Sequence, residues 1–179
     1  HETGVGDLYG SWTTGSTVNG GGAFQNGVPS ANVSNQVGFY QGPWDCLGVP
    51  QADFYAWIGL ARTAVPANLN AITYLDNDGT AQNQSGNFAI HGATGEGMLY
   101  VDGDLTLNST FIYKGLIYVE GDFKLNGTAW ILGGLVVRGK TDVKMNGGAT
   151  VLYSSEAILI ALAKYGGQFV TLSWREREL

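Results

Sequence analysis

The chain has 179 residues, enough for one cored domain and too few for two of ordinary size, and its 28 glycines beside only 13% charged residues suit a β protein with many tight turns. A net charge of −6 with nine scattered Lys and Arg provides no basic stripe to neutralise a phosphate backbone, which argues against nucleic acid as a partner. The longest apolar run, Ala157 to Ala163, falls far short of the roughly 20 residues needed to cross a bilayer, and no basic-then-apolar signal opens the sequence, which therefore reads as a soluble fragment.

Residues 1–49 are rich in Gly, Ser, Asn and Thr with scattered aromatics, and read as loops and irregular strands wrapping the rest of the chain rather than as a separate domain. From Pro50 to Arg62, the side chains Phe54, Trp57, Ile58 and Ala61 recur at helical spacing behind a proline placed where a first turn accepts one. Asp76-Asn-Asp-Gly79 then sets oxygen ligands at alternate positions before a turn-making glycine. Asp76 and Asp78 are therefore candidate calcium ligands, although the later glutamate of an EF-hand is missing and an ordinary turn has the same composition.

The centre of the chain repeats. Gly97-Met-Leu-Tyr-Val-Asp-Gly-Asp-Leu-Thr-Leu-Asn108 lies over Gly115-Leu-Ile-Tyr-Val-Glu-Gly-Asp-Phe-Lys-Leu-Asn126 at an offset of 115 − 97 = 18. Gly133-Gly-Leu-Val-Val-Arg-Gly139 continues at 18, and Val143-Lys-Met-Asn146 follows at 20, which puts a two-residue insertion near Lys140. A partial copy, Gly86-Asn-Phe-Ala-Ile-His91, precedes the phrase at 103–108 by 17. At about 3.3 Å per strand residue, such a repeat makes three short strands and three corners, one coil of a solenoid. The expected fold is mainly β: a short right-handed parallel β-helix of three to four rungs over residues 50–179, as one compact body with the wrapping segment 1–49.

Within the repeat, Leu99, Ile117 and Leu135 with Val101, Val119 and Val137 alternate against Tyr100, Tyr118 and Val136, so the aliphatic set faces the interior. In the next strand Leu105, Leu107, Phe123, Leu125, Val143 and Met145 point inward and Thr106, Lys124 and Lys144 form an outer row. Glu120 is placed to meet Arg138 as an exposed pair worth at most about 1 kcal/mol. Asn108, Asn126 and Asn146, preceded by His91, share a corner as a structural ladder of stacked amides, and the glycines at 103, 121 and 139 are assigned to corners that need positive φ. A strand stack exposes unpaired backbone at both ends. Two helices are expected to cover them, the one after Pro50 and one over 154–166 with a Ser N-cap, an early Glu, a late Lys and a Gly stop. Phe169-Val-Thr-Leu-Ser-Trp174 alternates as a last strand.

The recurring Val-Asp/Glu-Gly-Asp-(Leu/Phe)-x-Leu-Asn phrases at 101–108 and 119–126, the Gly-Leu-Ile/Val starts that follow, and the closing Leu172-Ser-Trp-Arg-Glu176 carry a resemblance. From about Pro50 onward, roughly two thirds of its length, the chain resembles the extracytoplasmic C-terminal region of PilX-like pilus assembly proteins of type IV pilus systems. Its glycine-punctuated rungs more weakly resemble bactofilin-like polymerising proteins. The first resemblance implies a cell-surface, extracellular or periplasmic location and other pilus or surface subunits, or further copies of the chain, as partners. It also implies an N-terminal membrane helix, which this sequence lacks, so the chain would be a truncated or processed ectodomain.

Polysaccharide-cleaving enzymes also use parallel β-helices, so the columns Asp102/Glu120 and Asp104/Asp122 are weighed as paired carboxylates. They sit beside glycines at a corner, where Asp serves turn hydrogen bonds, and no basic partner accompanies them consistently. His1 with His91 is the sole candidate for a copper brace, and Cys46, without a second cysteine, excludes an internal disulfide and reads as a small buried apolar side chain. The expectation is a non-enzymatic structural or assembly protein without a cofactor, calcium apart. A carbohydrate-binding or carbohydrate-cleaving β-helix is the alternative.

Overall fold

The computed structural model describes residues 40–144 and 148–166, except the side chains of 142–144, together with the backbone of the short strands at 11–12, 17–20 and 32–33. Strands β1 (Ser11–Trp12) and β3 (Asn32–Val33) pair with each other in parallel, while β2 (Thr17–Gly20) belongs to the main sheet. Helices α1 (Pro43–Leu47) and α2 (Gln51–Ile58) follow, then β4 (Leu69–Asp76), β5 (Asn87–Asp102), β6 (Asp104–Val119), β7 (Phe123–Val137), β8 (Thr141–Lys144), β9 (Ala149–Tyr153) and α3 (Ser155–Tyr165). The main sheet runs β2-β8-β7-β6-β5-β4 with β9 also on β7, and every pairing is parallel. The chain is thus a short parallel β-helix of about 3 turns.

Each long strand bends around a coil and contributes to three walls. The first wall is the Tyr74, Tyr100, Tyr118 and Val136 level, the second the Leu105–Asn108 level, and the third Phe111–Tyr113 over Ala129–Ile131. The aliphatic set falls inside as expected: Leu99, Val101, Leu105, Leu107, Ile117, Val119, Phe123 and Leu125 form one dry core. Burial of each such side chain stabilises the coil by about 1.5–3 kcal/mol, and parallel stacking repeats that gain at every rung.

The partial copy pairs at its expected offset, Asn87 opposite Asp104 through His91 opposite Asn108, and a bulge after His91 then restores the spacing of the full rungs. The last rung corrects the sequence reading. Phe123 pairs with Thr141 and Leu125 with Val143, an offset of 143 − 125 = 18, so nothing is inserted near Lys140. The two added residues enter later, because Ala129 pairs with Ala149, an offset of 149 − 129 = 20. Met145 and Asn146 lie outside the described residues.

The glycine assignment also shifts. Of the glycines at 103, 121 and 139, only Gly103 has positive φ, at 151°. A Cβ on Gly121 or Gly139 would instead strike the backbone of the glycine one rung below, so close approach of stacked coils excludes a side chain there. The column that combines positive φ with close approach is Gly97, Gly115 and Gly133, at 133°, 121° and 139°. A Cβ on Gly115 would meet the Gly97 carbonyl and would lie 3.0 Å from Ala161 of α3.

Both expected helices form, but along the side of the coils rather than over their ends. Ser154 caps α3 by accepting from the Ala157 amide at 3.1 Å. The helix then descends across the rungs: Ser154 N bonds to Gly133 O, Ala161 sits at Gly115, and Lys164 pairs with Glu96 at 2.7 Å. Helix α2 stops at Gly59, whose φ of 79° ends it before Arg62. Arg62 instead bridges to Leu75. The apolar reason for this placement is the outer side of the first wall, where Tyr74, Met98, Tyr100, Leu116 and Tyr118 would otherwise face water. The segment 1–49 supplies part of the cover through α1 and one strand of the sheet through β2. Phe169–Trp174 lies outside the described residues.

Gly115→Ala combines a strained backbone with steric conflict against the rung below, and is expected to lower unfolding stability by roughly 2–5 kcal/mol in urea denaturation. Gly148→Ala, where a Cβ meets nothing within 4 Å, is expected to stay within about 0.5 kcal/mol of wild type.

Candidate functional site

The least ordinary chemistry among the described residues lies between the first wall and its helical cover. A Tyr-x-acid phrase ends three successive levels: Tyr74-Leu-Asp76, Tyr100-Val-Asp102 and Tyr118-Val-Glu120, with Val136-Val-Arg138 as the fourth. Strand alternation turns the tyrosines outward and the chain then leaves the wall at the acid. The helices close over this column, so Asp76, Asp102 and Glu120 are each 0% exposed. Buried acids of this kind persist only when hydrogen-bonded, paired or neutral.

Aromatic packing fixes the geometry. Tyr74 and Tyr100 stack with ring centroids 4.8 Å apart, and Phe54 of α2 meets Tyr100 edge-on at 5.8 Å. Tyr55 shares a 3.3 Å hydroxyl contact with Tyr100, and Tyr100 donates to Glu120 Oε1 at 3.3 Å. Arg138 closes on Glu120 Oε2 at 2.7 Å and donates to the Gln41 carbonyl at 3.3 Å, immediately before α1. Glu120 thereby joins the tethers of both cover helices. The pair expected as exposed has one fully buried member, which gives it more weight than a surface ion pair.

The remaining acids differ in how they are satisfied. Asp76 Oδ2 accepts from Tyr74 at 2.8 Å and its Oδ1 from the amides of Asp78 and Gly79 at 3.0 Å. Asp102 Oδ1 accepts from the Gln84 amide at 2.9 Å, whereas among the described residues its buried Oδ2 has no hydrogen-bond partner, and neither does the Tyr118 hydroxyl. Burial raises the Asp102 carboxyl above its ordinary value, helped by the Asp76 charge and opposed by loop amides. Burial likewise raises Glu120 against the pull of Arg138. Burial and the Glu120 charge push the Tyr100 phenol far up, so it serves as a donor.

The residues singled out in the sequence take structural places. Asp76 and Asp78 belong to separate hydrogen-bond sets: Asp76 is buried under Tyr74, while exposed Asp78 accepts from the Thr80 amide and from Asn83. Among the described residues, no three His, Cys, Asp or Glu side chains converge as metal ligands. Asn126 donates to Asn108 Oδ1 at 3.1 Å, one step of the expected ladder, but the left-handed residue at that corner is Ser109, with φ of 66°. Asp104 and Asp122 each accept the amide one rung above, from Asp122 and Lys140, at 2.7 Å. They form a carboxylate-to-backbone ladder rather than an open acid pair. Cys46 is shielded enough that burial pushes its thiol up to about 12.

The sequence reading placed Asp102 over Glu120 but missed the Tyr74–Asp76 level and the burial of the column. The signal of that level is the offset from Tyr74 to Tyr100 of 100 − 74 = 26, the repeat lengthened by a loop over 77–86 that hides the first level. No family model, curated protein or solved structure matches this chain.

Two hydroxyl deletions separate satisfied from unsatisfied members of the column. Tyr74→Phe, which removes a hydrogen bond to a carboxylate, is expected to cost about 1.5–3 kcal/mol of unfolding free energy. Tyr118→Phe removes only an unpaired buried hydroxyl and is expected to be neutral or stabilising by up to about 1–3 kcal/mol in the same chemical denaturation series.

Proposed function

We propose that this protein is a non-enzymatic structural or assembly protein of the bacterial cell surface, associated with type IV pili, and that it acts through protein–protein contacts. The observation that carries the reading is the last strand. Among the described residues β9 pairs on one side only, with β7, and its Val151, Leu152 and Tyr153 are 45%, 42% and 41% exposed. Exposed apolar side chains on the last strand of a parallel stack offer a surface on which another chain can bury area.

A neighbouring wall supports the same reading. Ile112 and Trp130 stand one above the other on the outside of the third wall, each more than one-third exposed, between Thr94 and Thr150. This is a flat, mixed patch of the kind that buries against a partner. The acids that would serve a carbohydrate-cleaving reading are occupied otherwise, buried at Asp102 and Glu120 and laddered at Asp104 and Asp122. The repeated phrases at 101–108 and 119–126 add the pilus association, and with it a location outside the cytoplasm and surface subunits or further copies of this chain as partners.

Light scattering across concentration, together with retention on sheared pilus fractions and a glycan-binding screen, tests the reading. Self-association or pilus retention is expected, weakened at least about tenfold, or about 1.4 kcal/mol, by the double change Val151→Lys and Leu152→Lys. A protein that is monomeric at every concentration, ignores pilus fractions and binds glycans would overturn it.

A further inference from the structure

We propose that the α1–α2 pair is a proton-gated cover: an uncharged Asp102 keeps it shut on the tyrosine wall, and ionisation of that carboxyl loosens it. The geometry supplies three parts of the argument. Asp76, Asp102 and Glu120 occupy consecutive rungs in full burial, and Arg138 is the cation seated on the column. Asp102 accepts from the Gln84 amide through Oδ1, but its buried Oδ2 has no hydrogen-bond partner among the described residues, so a negative charge there is only partly offset against its desolvation. Polar links run from the cover into this column, Tyr55 to Tyr100 to Glu120 and Gln41 to Arg138 to Glu120, so disturbance of the column reaches both helices.

The groups facing Asp102 all bear on its charge. From β4 comes the Asp76 carboxylate with Tyr74, from the end of β6 Glu120, from α2 Tyr55, from its own strand Tyr100, and from the loop the amide of Gln84. Arg138 lies beyond Glu120, which it already contacts at 2.7 Å, and the Arg62 side chain is exposed. A carboxyl whose folded pKa stands above 3.8 favours the closed state most at pH below that value. This contribution is lost as pH rises through the folded value. Glu96 and Asp78, held low by Lys164 and by the Thr80 amide, act in the opposite sense, and only as pH falls below the ordinary carboxylate range.

Hydrogen exchange read by mass spectrometry from about pH 3.5 to about pH 9, corrected for intrinsic rates, tests the gate on the full chain. Exchange protection over 43–58 is expected to fall at least about tenfold toward alkaline pH while β5, β6 and β7 stay protected. Asp102→Asn is expected to remove that fall, and Asp76→Asn, which takes away the facing charge but keeps the turn acceptor, to move it to lower pH. Should Asp102→Asn fail to fold, Asp76→Asn carries the test alone. Constant protection of 43–58 across the range, simultaneous opening of β5–β7, or an unchanged pH response in the folded variants would overturn the proposal.

Discussion

Successive coils of this protein are held at the spacing of a parallel backbone ladder, and everything else is fitted to that spacing. Because one rung lies directly on the next, each position along the coil meets its own counterpart above and below, and the side-chain choice at any position is constrained by the same position one repeat away. Glycine stacks on glycine at 97, 115 and 133 because a Cβ would enter the carbonyl beneath. Asp104 and Asp122 recur because a carboxylate at that corner reaches the next amide. Where one rung carries a large group, its neighbours shrink: Phe111 lies between Ala93 and Ala129, and Tyr113 rests over Gly95.

The same stacking explains why one wall collects charge. Any residue that ends the first wall is repeated at the ladder spacing, so three acids in a column repel at short range unless they are desolvated into neutrality or met by a cation. The chain changes sign at the fourth level with Arg138, and at the level of Asp102 a loop amide meets one carboxyl oxygen and burial leaves the other unpartnered among the described residues. A column of this kind contributes less to stability than apolar residues of the same volume would.

Much of the coil was legible from the repeat at Gly97 and Gly115, because parallel stacking writes the same pattern into each rung and inward alternation at Leu99, Val101, Leu105 and Leu107 follows directly. The third wall was not, since volume compensation scrambles its columns: Gly95, Tyr113, Ile131 and Val151 share a position without sharing a type. The level of Tyr74 was hidden by the loop that separates it from the next rung. Helical patterns at 51–58 and 155–165 were visible, but their seat was not. The outward tyrosines looked like an ordinary solvent face, and nothing local in Tyr-Val-Glu says that Glu120 will be dry. The last rung misled for a simpler reason: aligning Asn146 with Asn126 gave a better match of residue type than the true pairing of Leu125 with Val143.

The central claim is that coils one repeat apart lie in parallel register. Thr106 and Lys124 face outward as direct partners, at a separation that a disulfide can span. Oxidation of the double variant Thr106→Cys and Lys124→Cys, read as the cross-linked fraction in a non-reducing peptide map, is the most direct measurement. The parallel coil predicts near-complete cross-linking of this pair and little for Thr106→Cys with Ile112→Cys. Failure of the in-register pair to close, with the protein still folded by circular dichroism, would contradict the stacked architecture.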